Sequence, residues 1–339
     1  MHEFYSDTQT RPSRAMREAA LTAPLGDERH NADPPTTELC ARVADMLGME
    51  AAVFLPSGTM CNEIAIAVHT RPGDEVICTR ESHIIFAESG GPAALSGVMM
   101  CPIDGKNGML TPAELAAHIR PASAHAPRSR LLLAEQTANL AGGAVWPVEQ
   151  LNTVARDAKA AGLATHLDGA RILNAQVATG IPAADYARDF DSAWIAFTKG
   201  LGCPVGAVLA GSKDFINDAW LIKRRWGGAM RQTGVLTAMC LYALDHNVER
   251  LAEDHALAQF IGAGLTGLPA VESILPIDTN IVMLTLAPSA PDARETARQL
   301  RQKKITVTVT GQRRLRIVTH MDVNQTSAQA LIDAMAMLE

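Results

Sequence analysis

Aromatic residues are scarce in this chain: seven Phe, four Trp and three Tyr, 4% of 339 residues. Its core must therefore be filled by Leu, Ala, Val, Ile and Met. Positive charge is not in excess either. Thirty Lys and Arg stand against thirty-six Asp and Glu, a net charge of −6, so the broad basic footprint of a nucleic-acid binder is missing. The one dense basic cluster, Lys223-Arg224-Arg225, reads as a solvated face or a local anion site. The six cysteines form no CxxC pair and mostly sit in apolar surroundings such as Val76-Ile77-Cys78. Buried reduced thiols are expected, with no disulfide framework and no metal site. No apolar run reaches the length of a transmembrane helix, and Met1 to Tyr5 contains no basic segment leading into an apolar one. No membrane contact is expected, and the expected compartment is the cytoplasm. Internal repeats, low-complexity tracts and the GxxxxGK[ST] spacing of a nucleoside-triphosphate loop are absent too.

What is present is alternation. The first 35 or so residues read as an extended arm and a long loop, with turn chemistry at Ser6-Asp7-Thr8, Gly26-Asp27 and Asp33-Pro34-Pro35. Short apolar runs then alternate with helical stretches. The runs are Ala52–Leu55, Glu75–Cys78, Gly97–Cys101, Arg130–Glu135, Leu163–Asp168, Ser192–Phe197 and Val205–Leu209. Such alternation predicts a mostly parallel sheet covered on both faces. A helical tract from about 232 to 265 leads into strands at 280–284, 304–307 and 315–318 among helices, which predicts a small C-terminal α+β domain. The expected division is an arm and active-site loop at 1–35, a large domain at 36–248 and a small one at 249–339.

In a parallel α/β sheet, ligands bind beyond the carboxyl ends of the strands. Four polar features fall there. Ser57-Gly58-Thr59 ends a strand and opens a helix, as a phosphate cradle does, although a plain N-cap has the same signature. Asp168 ends an apolar strand, where a carboxylate needs a cationic partner. It either meets a bound cation or caps the next helix beside Arg171. Lys199 follows an apolar strand and precedes glycines, as a lysine projecting into a pocket would. Alone it would be a solvated charge. His83 follows another strand, where an imidazole could stack on a ring, move a proton or serve structure alone.

The order of these features resembles fold-type I pyridoxal-5′-phosphate (PLP) enzymes of the aspartate aminotransferase-like type. Their matching stretches identify the chain as similar to the threonine aldolase / β-eliminating lyase family. Those stretches are Ser6-Asp7-Thr8, Gly26-Asp27-Glu28, Pro56 to Asn62, His83, His166 to Arg171, Lys199 to Gly202, Gly227 to Gln232 and Leu315 to His320. The resemblance implies a PLP carbon–carbon lyase that cleaves L-β-hydroxy-α-amino acids to glycine and an aldehyde. A β-eliminating lyase or an aminotransferase on the same scaffold is the alternative, and a non-catalytic PLP-binding protein is disfavoured by the intact Lys199, Asp168 and Arg171. It further implies that Lys199 carries PLP as a Schiff base, that Asp168 pairs with the pyridine nitrogen and that His83 stacks on the ring. Ser57, Gly58 and Thr59 would hold the phosphate with Arg231, the latter across a subunit interface. Ser6, Arg171 and Arg316 would hold the substrate carboxylate. A homo-oligomer, dimer or tetramer, is expected. Two positions depart from the family pattern. Glu135-Gln136-Thr137-Ala138-Asn139 has Ala138 where the family usually has a histidine beside the substrate β-hydroxyl, and His30 replaces the usual tyrosine in the early loop. Loss of that histidine is expected to enlarge or depolarise the side-chain pocket. The β-hydroxyl would then be left to His83, a water, or His30 of a neighbouring copy.

Overall fold

The computed structural model describes residues 1–338. Its centre is a seven-stranded sheet. In spatial order the strands are Ala51–Leu55, Ala207–Gly211, Ser192–Ala196, Ala164–Asp168, Arg128–Glu135, Asp74–Thr79 and Met99–Ile103. The five strands from Ser192–Ala196 to Met99–Ile103 pair in parallel, whereas Ala207–Gly211 runs antiparallel to both of its neighbours. The reason is connection length. A parallel crossover needs roughly a dozen residues or more, and only the short loop holding Lys199 separates Ser192–Ala196 from Ala207–Gly211. The chain therefore doubles back, and that loop is held at the sheet's edge of chemistry.

Four strands have unbroken burial: Asp74–Thr79, Ala164–Asp168 after its first residue, Ser192–Ala196 and Ala207–Gly211. Helices cover both faces, and the main core packs Phe54, Trp146, Tyr186 and Phe197 among Leu, Val, Ile and Ala. The few aromatics are thus spent inside. Trp146, Trp194, Tyr186, Phe4, Phe54 and Phe197 rank among the largest fully buried side chains.

The C-terminal region builds a four-stranded antiparallel sheet, ordered Thr308–Gly311, Arg314–Val318, Ile281–Leu286 and Val271–Ile274. Helices Leu251–Leu265, Ala293–Gln302 and Gln325–Ala336 pack with it around a second core. Two expectations change here. The segment 304–307 is no strand of this sheet: Ile305–Thr306 pairs in parallel with His2–Glu3 instead. The helical tract from 232 to 265 is two helices, Gly234–His246 and Leu251–Leu265.

The N-terminal 35 residues are not simply extended. Ser13 caps a helix at Arg14–Thr22, its hydroxyl accepting from Met16 N at 3.1 Å, and Phe4 is fully buried in the C-terminal core. The arm therefore crosses from one core to the other and passes the strand ends on the way.

Lys223 corrects the reading of the basic cluster. Arg224 and Arg225 are exposed, but the Lys223 side chain is 0% exposed and its Nζ lies 2.8 Å from Glu28 Oε2. Its ammonium also sits 4.1 Å from the centre of the Trp220 ring. Glu28 accepts a second bond from Met230 N, so the pair ties the early loop to the helix Lys213–Arg225. Lys223→Met should lower stability by about 3–5 kcal/mol, because Glu28 is left buried without its counter-charge. The thermal unfolding midpoint reads this, and the double variant Glu28→Gln/Lys223→Met should recover part of the loss.

Candidate functional site

The carboxyl ends of the parallel strands converge on one polar cluster. Helix Gly58–His69 starts where Ala51–Leu55 stops. Ser57 is its N-cap and accepts from Met60 N at 3.2 Å. The first N–H groups of such a helix have no intrahelical acceptor and point out with positive potential. Ser57 and Thr59 are exposed, open to an anion. Gly58 is required by packing: a Cβ there would come within 2.2 Å of the Trp194 ring.

One turn along, Asn62 is fully buried and joins the neighbouring strand ends. Its Nδ2 donates to Asp168 Oδ2 and Glu88 Oε1, each at 2.8 Å. Its Oδ1 accepts from Trp194 Nε1 at 2.8 Å and lies 3.2 Å from His166 Nε2. Asp168 is 2% exposed and takes a second bond from Ala170 N at 3.0 Å. Among the described residues no Lys, Arg or His pairs with it. A buried carboxylate with only neutral donors leaves room for a cation.

Lys199 lies in the loop between the two antiparallel strands and is half-buried, with Nζ 5.6 Å from the centre of the Trp194 ring. Burial, and after it the charge of Arg171, lowers its pKa, while Asp168, Asp7 and Glu135 pull the other way. Gly200 beside it takes φ +73°, a conformation that favours glycine, and its N–H donates to Asp7 O at 3.2 Å.

His83 opens the short helix His83–Phe86. Its backbone N–H donates to Glu135 Oε2 at 2.9 Å, and its Nδ1 lies 2.7 Å from Glu88 Oε1. Burial works against charge on the ring, yet the Glu88 hydrogen bond outweighs this together with Asp168 and Glu135, and its pKa is raised. Glu135 itself is pushed up by burial and by the charge of Asp168.

The arginines divide their work. Arg171 is nearly enclosed, and its Nε and Nη2 donate to Asp7 Oδ2 and Oδ1 at 2.7 and 2.8 Å. This two-point pair occupies the fork that was expected to take a substrate carboxylate. Arg316 is freer. Its Nη1 donates to Asn139 Oδ1 at 2.7 Å and its Nη2 to Tyr5 O at 3.3 Å, while its buried Nε has no partner. Burial and the nearby charge of Arg171 lower its pKa, so an anion would be welcome there. Ser6 caps the turn Asp7–Gln9, and its Oγ accepts from Thr8 N at 3.2 Å.

His30 is on the exposed early loop, and Arg231, exposed in the segment between helices Lys213–Arg225 and Gly234–His246, reaches that loop through Nη1, which donates to Asp27 Oδ2 at 2.9 Å. Among the described residues no hydrogen bond joins either to the Lys199 cluster within this chain. Ala138 is buried against Ala141, Ala144 and Met109, and a Cβ on Gly108 would approach its methyl to 2.8 Å. Ala138 is thus packed into a small apolar cluster next to the Gly108 turn.

Asp7, Asn62, Glu88, Glu135 and Asn139 belong to this cluster although no role was read for them in the sequence. Asn62, four residues after Gly58 and so on one helix face with it, was the one with a usable signal. Among the described residues no group of three or more His, Cys, Asp or Glu is arranged to hold a metal ion, and no helix is long and apolar enough to cross a membrane.

Solved structures share this architecture. The threonine aldolase of Leishmania major superposes with a TM-score of 0.82, covering 99% of this chain and 98% of that one at 20% identity. An aspartate aminotransferase of Thermus thermophilus gives 0.78, covering 99% and 91% at 16% identity. The fold is that of the fold-type I PLP enzymes. Sequence narrows the class: residues 3–289 match the Beta-eliminating lyase family, and the chain belongs to it. It is 38% identical over 328 residues to the low-specificity L-threonine aldolase of Escherichia coli, covering 96% of this chain and 95% of that one. It is 36% identical over 337 residues to a probable low-specificity L-threonine aldolase of Arabidopsis thaliana, covering 97% and 95%.

The residues present fit PLP. Asp168 lacks a cation, Arg316 Nε lacks an acceptor, and an exposed helix N-terminus stands beside a lysine of lowered pKa.

The Asp7–Arg171 pair predicts an acid limit. Burial raises the Asp7 pKa, but Arg171 outweighs it and holds the carboxyl well below the usual range. The stabilisation is thus present above the unfolded value of about 4 and lost as pH falls below it. Asp7→Asn should lower the unfolding midpoint at neutral pH, with the gap to the native chain closing in acid.

Proposed function

We propose that this chain is a PLP-dependent aldolase cleaving L-β-hydroxy-α-amino acids to glycine and an aldehyde. The observation that carries the reading is its 36–38% identity to low-specificity L-threonine aldolases over 96–97% of its length. When bound, PLP supplies an aldehyde that condenses with amines and a protonated ring that draws electrons from a bond breaking at Cα.

The chain's residues do the rest. Lys199 Nζ is the amine for the cofactor aldehyde, and its lowered pKa keeps more of it neutral and nucleophilic. Asp168 stands where a ring nitrogen would be kept protonated, fixed by Asn62 and Ala170 N. Ser57, Gly58 and Thr59 hold the phosphate at the helix N-terminus, with Arg231 entering from a neighbouring copy. Arg316 is the principal ligand of the substrate carboxylate. Arg171 and Ser6 support it, Arg171 by holding Asp7 and lending charge. Orientation of the carboxylate sets which bond at Cα is cleaved.

His83 would lie against the cofactor ring and would move the β-hydroxyl proton. Its Nδ1 is engaged by Glu88, which leaves Nε2 for that proton. His30, like Arg231, would act from the neighbouring copy, so the active unit is at least a dimer. The working division is an arm at 1–35, a PLP-binding domain at 36–248 and a smaller one at 249–339, in a chain that acts in the cytoplasm.

The deciding assay follows glycine and aldehyde from threonine, allo-threonine and β-phenylserine, with PLP added. Ammonia plus a keto acid instead of glycine would overturn the reading. Lys199→Ala should lose both turnover and the visible band of the cofactor–lysine imine. His83→Asn should cost about 10²–10⁴ in kcat. Because the His83 pKa is raised, kcat/KM of the native enzyme should climb with pH through a value above the ordinary imidazole one of about 6.5.

Ala138→His tests the altered pocket. Relative kcat/KM across β-hydroxy amino acids should change, with a lower unfolding midpoint from crowding against Gly108. Unchanged ratios in a folded variant would remove position 138 from substrate choice.

A further inference from the structure

We propose that Glu63 and Glu88 share a single proton, and that Glu63 is thereby a positioning residue that fixes Glu88 as the acceptor for His83 Nδ1. The role this gives His83 rests on the function proposed above; the shared proton does not.

Glu63 lies on the helix Gly58–His69, one residue past Asn62, and is 3% exposed. Neither of its carboxyl oxygens has a hydrogen-bond donor, and Glu88 Oε2, equally buried, has none either. Among the described residues Glu63 forms no ion pair. Its carboxyl is pressed into the start of the segment Gly91–Ser96, where a Cβ on Gly91 would fall 2.0 Å from Glu63 Oε1. Were both carboxyls ionised, two like charges would be buried together and Glu63 would lack solvent, donor and counter-charge. One proton resolves this. A protonated Glu63 becomes a donor and faces the one oxygen of Glu88 that is unclaimed.

Which carboxyl holds the proton follows from the other contacts. Glu88 Oε1 accepts from Asn62 Nδ2 at 2.8 Å and faces His83 Nδ1 at 2.7 Å, so two donors stabilise its ionised form. Glu63 has no such donors. Burial, and then the charge of Glu88, pushes its pKa up to about 8.

The consequence reaches the ring. An ionised Glu88 fixes the neutral His83 as the Nδ1–H tautomer and leaves its Nε2 as the base. The charged groups facing His83 are Glu88 from its own segment, Glu135 and Asp168 from two strand ends, and Lys199 from the loop. Glu88 alone faces Glu63. The Cys61 thiol on the same helix is pushed well up by burial and stays neutral. When Glu63 loses its proton, a second negative charge forms behind His83 and raises its proton affinity. The two titrations are therefore coupled.

The test uses the full chain without added PLP. Isotope-edited infrared spectra with labelled glutamate should show a protonated carboxyl band at pH well below 8. The band should fade as pH rises through about 8 and be missing in Glu63→Gln. Nitrogen NMR of His83 should give a broadened, two-stage titration in the native chain and a single-site curve in Glu63→Gln, whose amide keeps a donor to Glu88. In Glu63→Leu, which has no donor, the share of the Nδ1–H tautomer should fall. Circular dichroism confirms folding of each variant. Absence of the protonated band in the native chain, or identical His83 titrations in native and Glu63→Gln, would overturn the proposal. The native measurement stands even if a variant misfolds. A native enzyme that makes no glycine yet shows the band would sink the assigned reaction and leave the shared proton in place.

Discussion

The carboxamide of Asn62 is saturated. Its two N–H groups serve Asp168 and Glu88, and its oxygen takes the Trp194 indole and the His166 ring. An amide offers two donors and an acceptor with two lone pairs, and here all are used in a site closed to water. The neighbours inherit their states from this. His166 must donate from Nε2, so its Nδ1 accepts from the Ser192 hydroxyl 2.8 Å away, and burial holds its pKa well below the usual value. Asp168 is bonded by neutral donors only. Glu88 receives Asn62 and His83 on one oxygen and leaves the other without a partner. The floor of the site is one hydrogen-bond network rather than separate residues, and networks of this kind rigidify when every member is satisfied.

Above that floor the charges are arranged to receive something. Asp168 and Glu135 press negative potential towards Lys199, while Arg171 presses positive potential against it. Asp7 consumes Arg171 through a two-point pair, so Arg171 supplies field and scaffold and Arg316 supplies open hydrogen-bond capacity. The division has a backbone logic. Asp7 sits on the arm between Phe4, which is anchored in the C-terminal core, and the helix Arg14–Thr22. The same arm therefore brings the counter-ion of one arginine and, through Tyr5 O, a ligand of the other.

Much of this was legible in the sequence, and the illegible part has physical causes. Apolar runs ending in Ser57, Asp168 and Lys199 place those residues at strand ends, because burial writes itself into composition. The direction of Ala207–Gly211 was readable only from the shortness of the loop before it. Lys223 looked solvated because a basic triplet carries no sign of the Glu28 carboxylate almost two hundred positions earlier. Arg171 looked free for the same reason: its partner, Asp7, is far off in the chain. Asn62 stood in a matched motif, but its work depends on four side chains from three other segments. Pairwise burial of polar groups is a tertiary property, and alternation patterns do not encode it.

Ala138 shows how such a network shifts a functional burden. The methyl packs against Met109, Ala141, Ala144 and the Gly108 turn, so an apolar contact stands at this position. That leaves His83 as the imidazole at the Lys199 cluster, since His166 is fully enclosed with both nitrogens occupied. In the proposed reaction, a lone imidazole facing the ring and handling a proton would need its tautomer fixed, since the wrong one presents N–H where a lone pair is required. Glu88 Oε1, 2.7 Å from Nδ1, is the group placed to fix it. In the proposed shared-proton pair, the donor to its other oxygen, on the side away from water, would come from Glu63. The apolar wall at Ala138 and the buried acid at Glu63 thus lie on opposite sides of one requirement, a dependable Nε2 on His83.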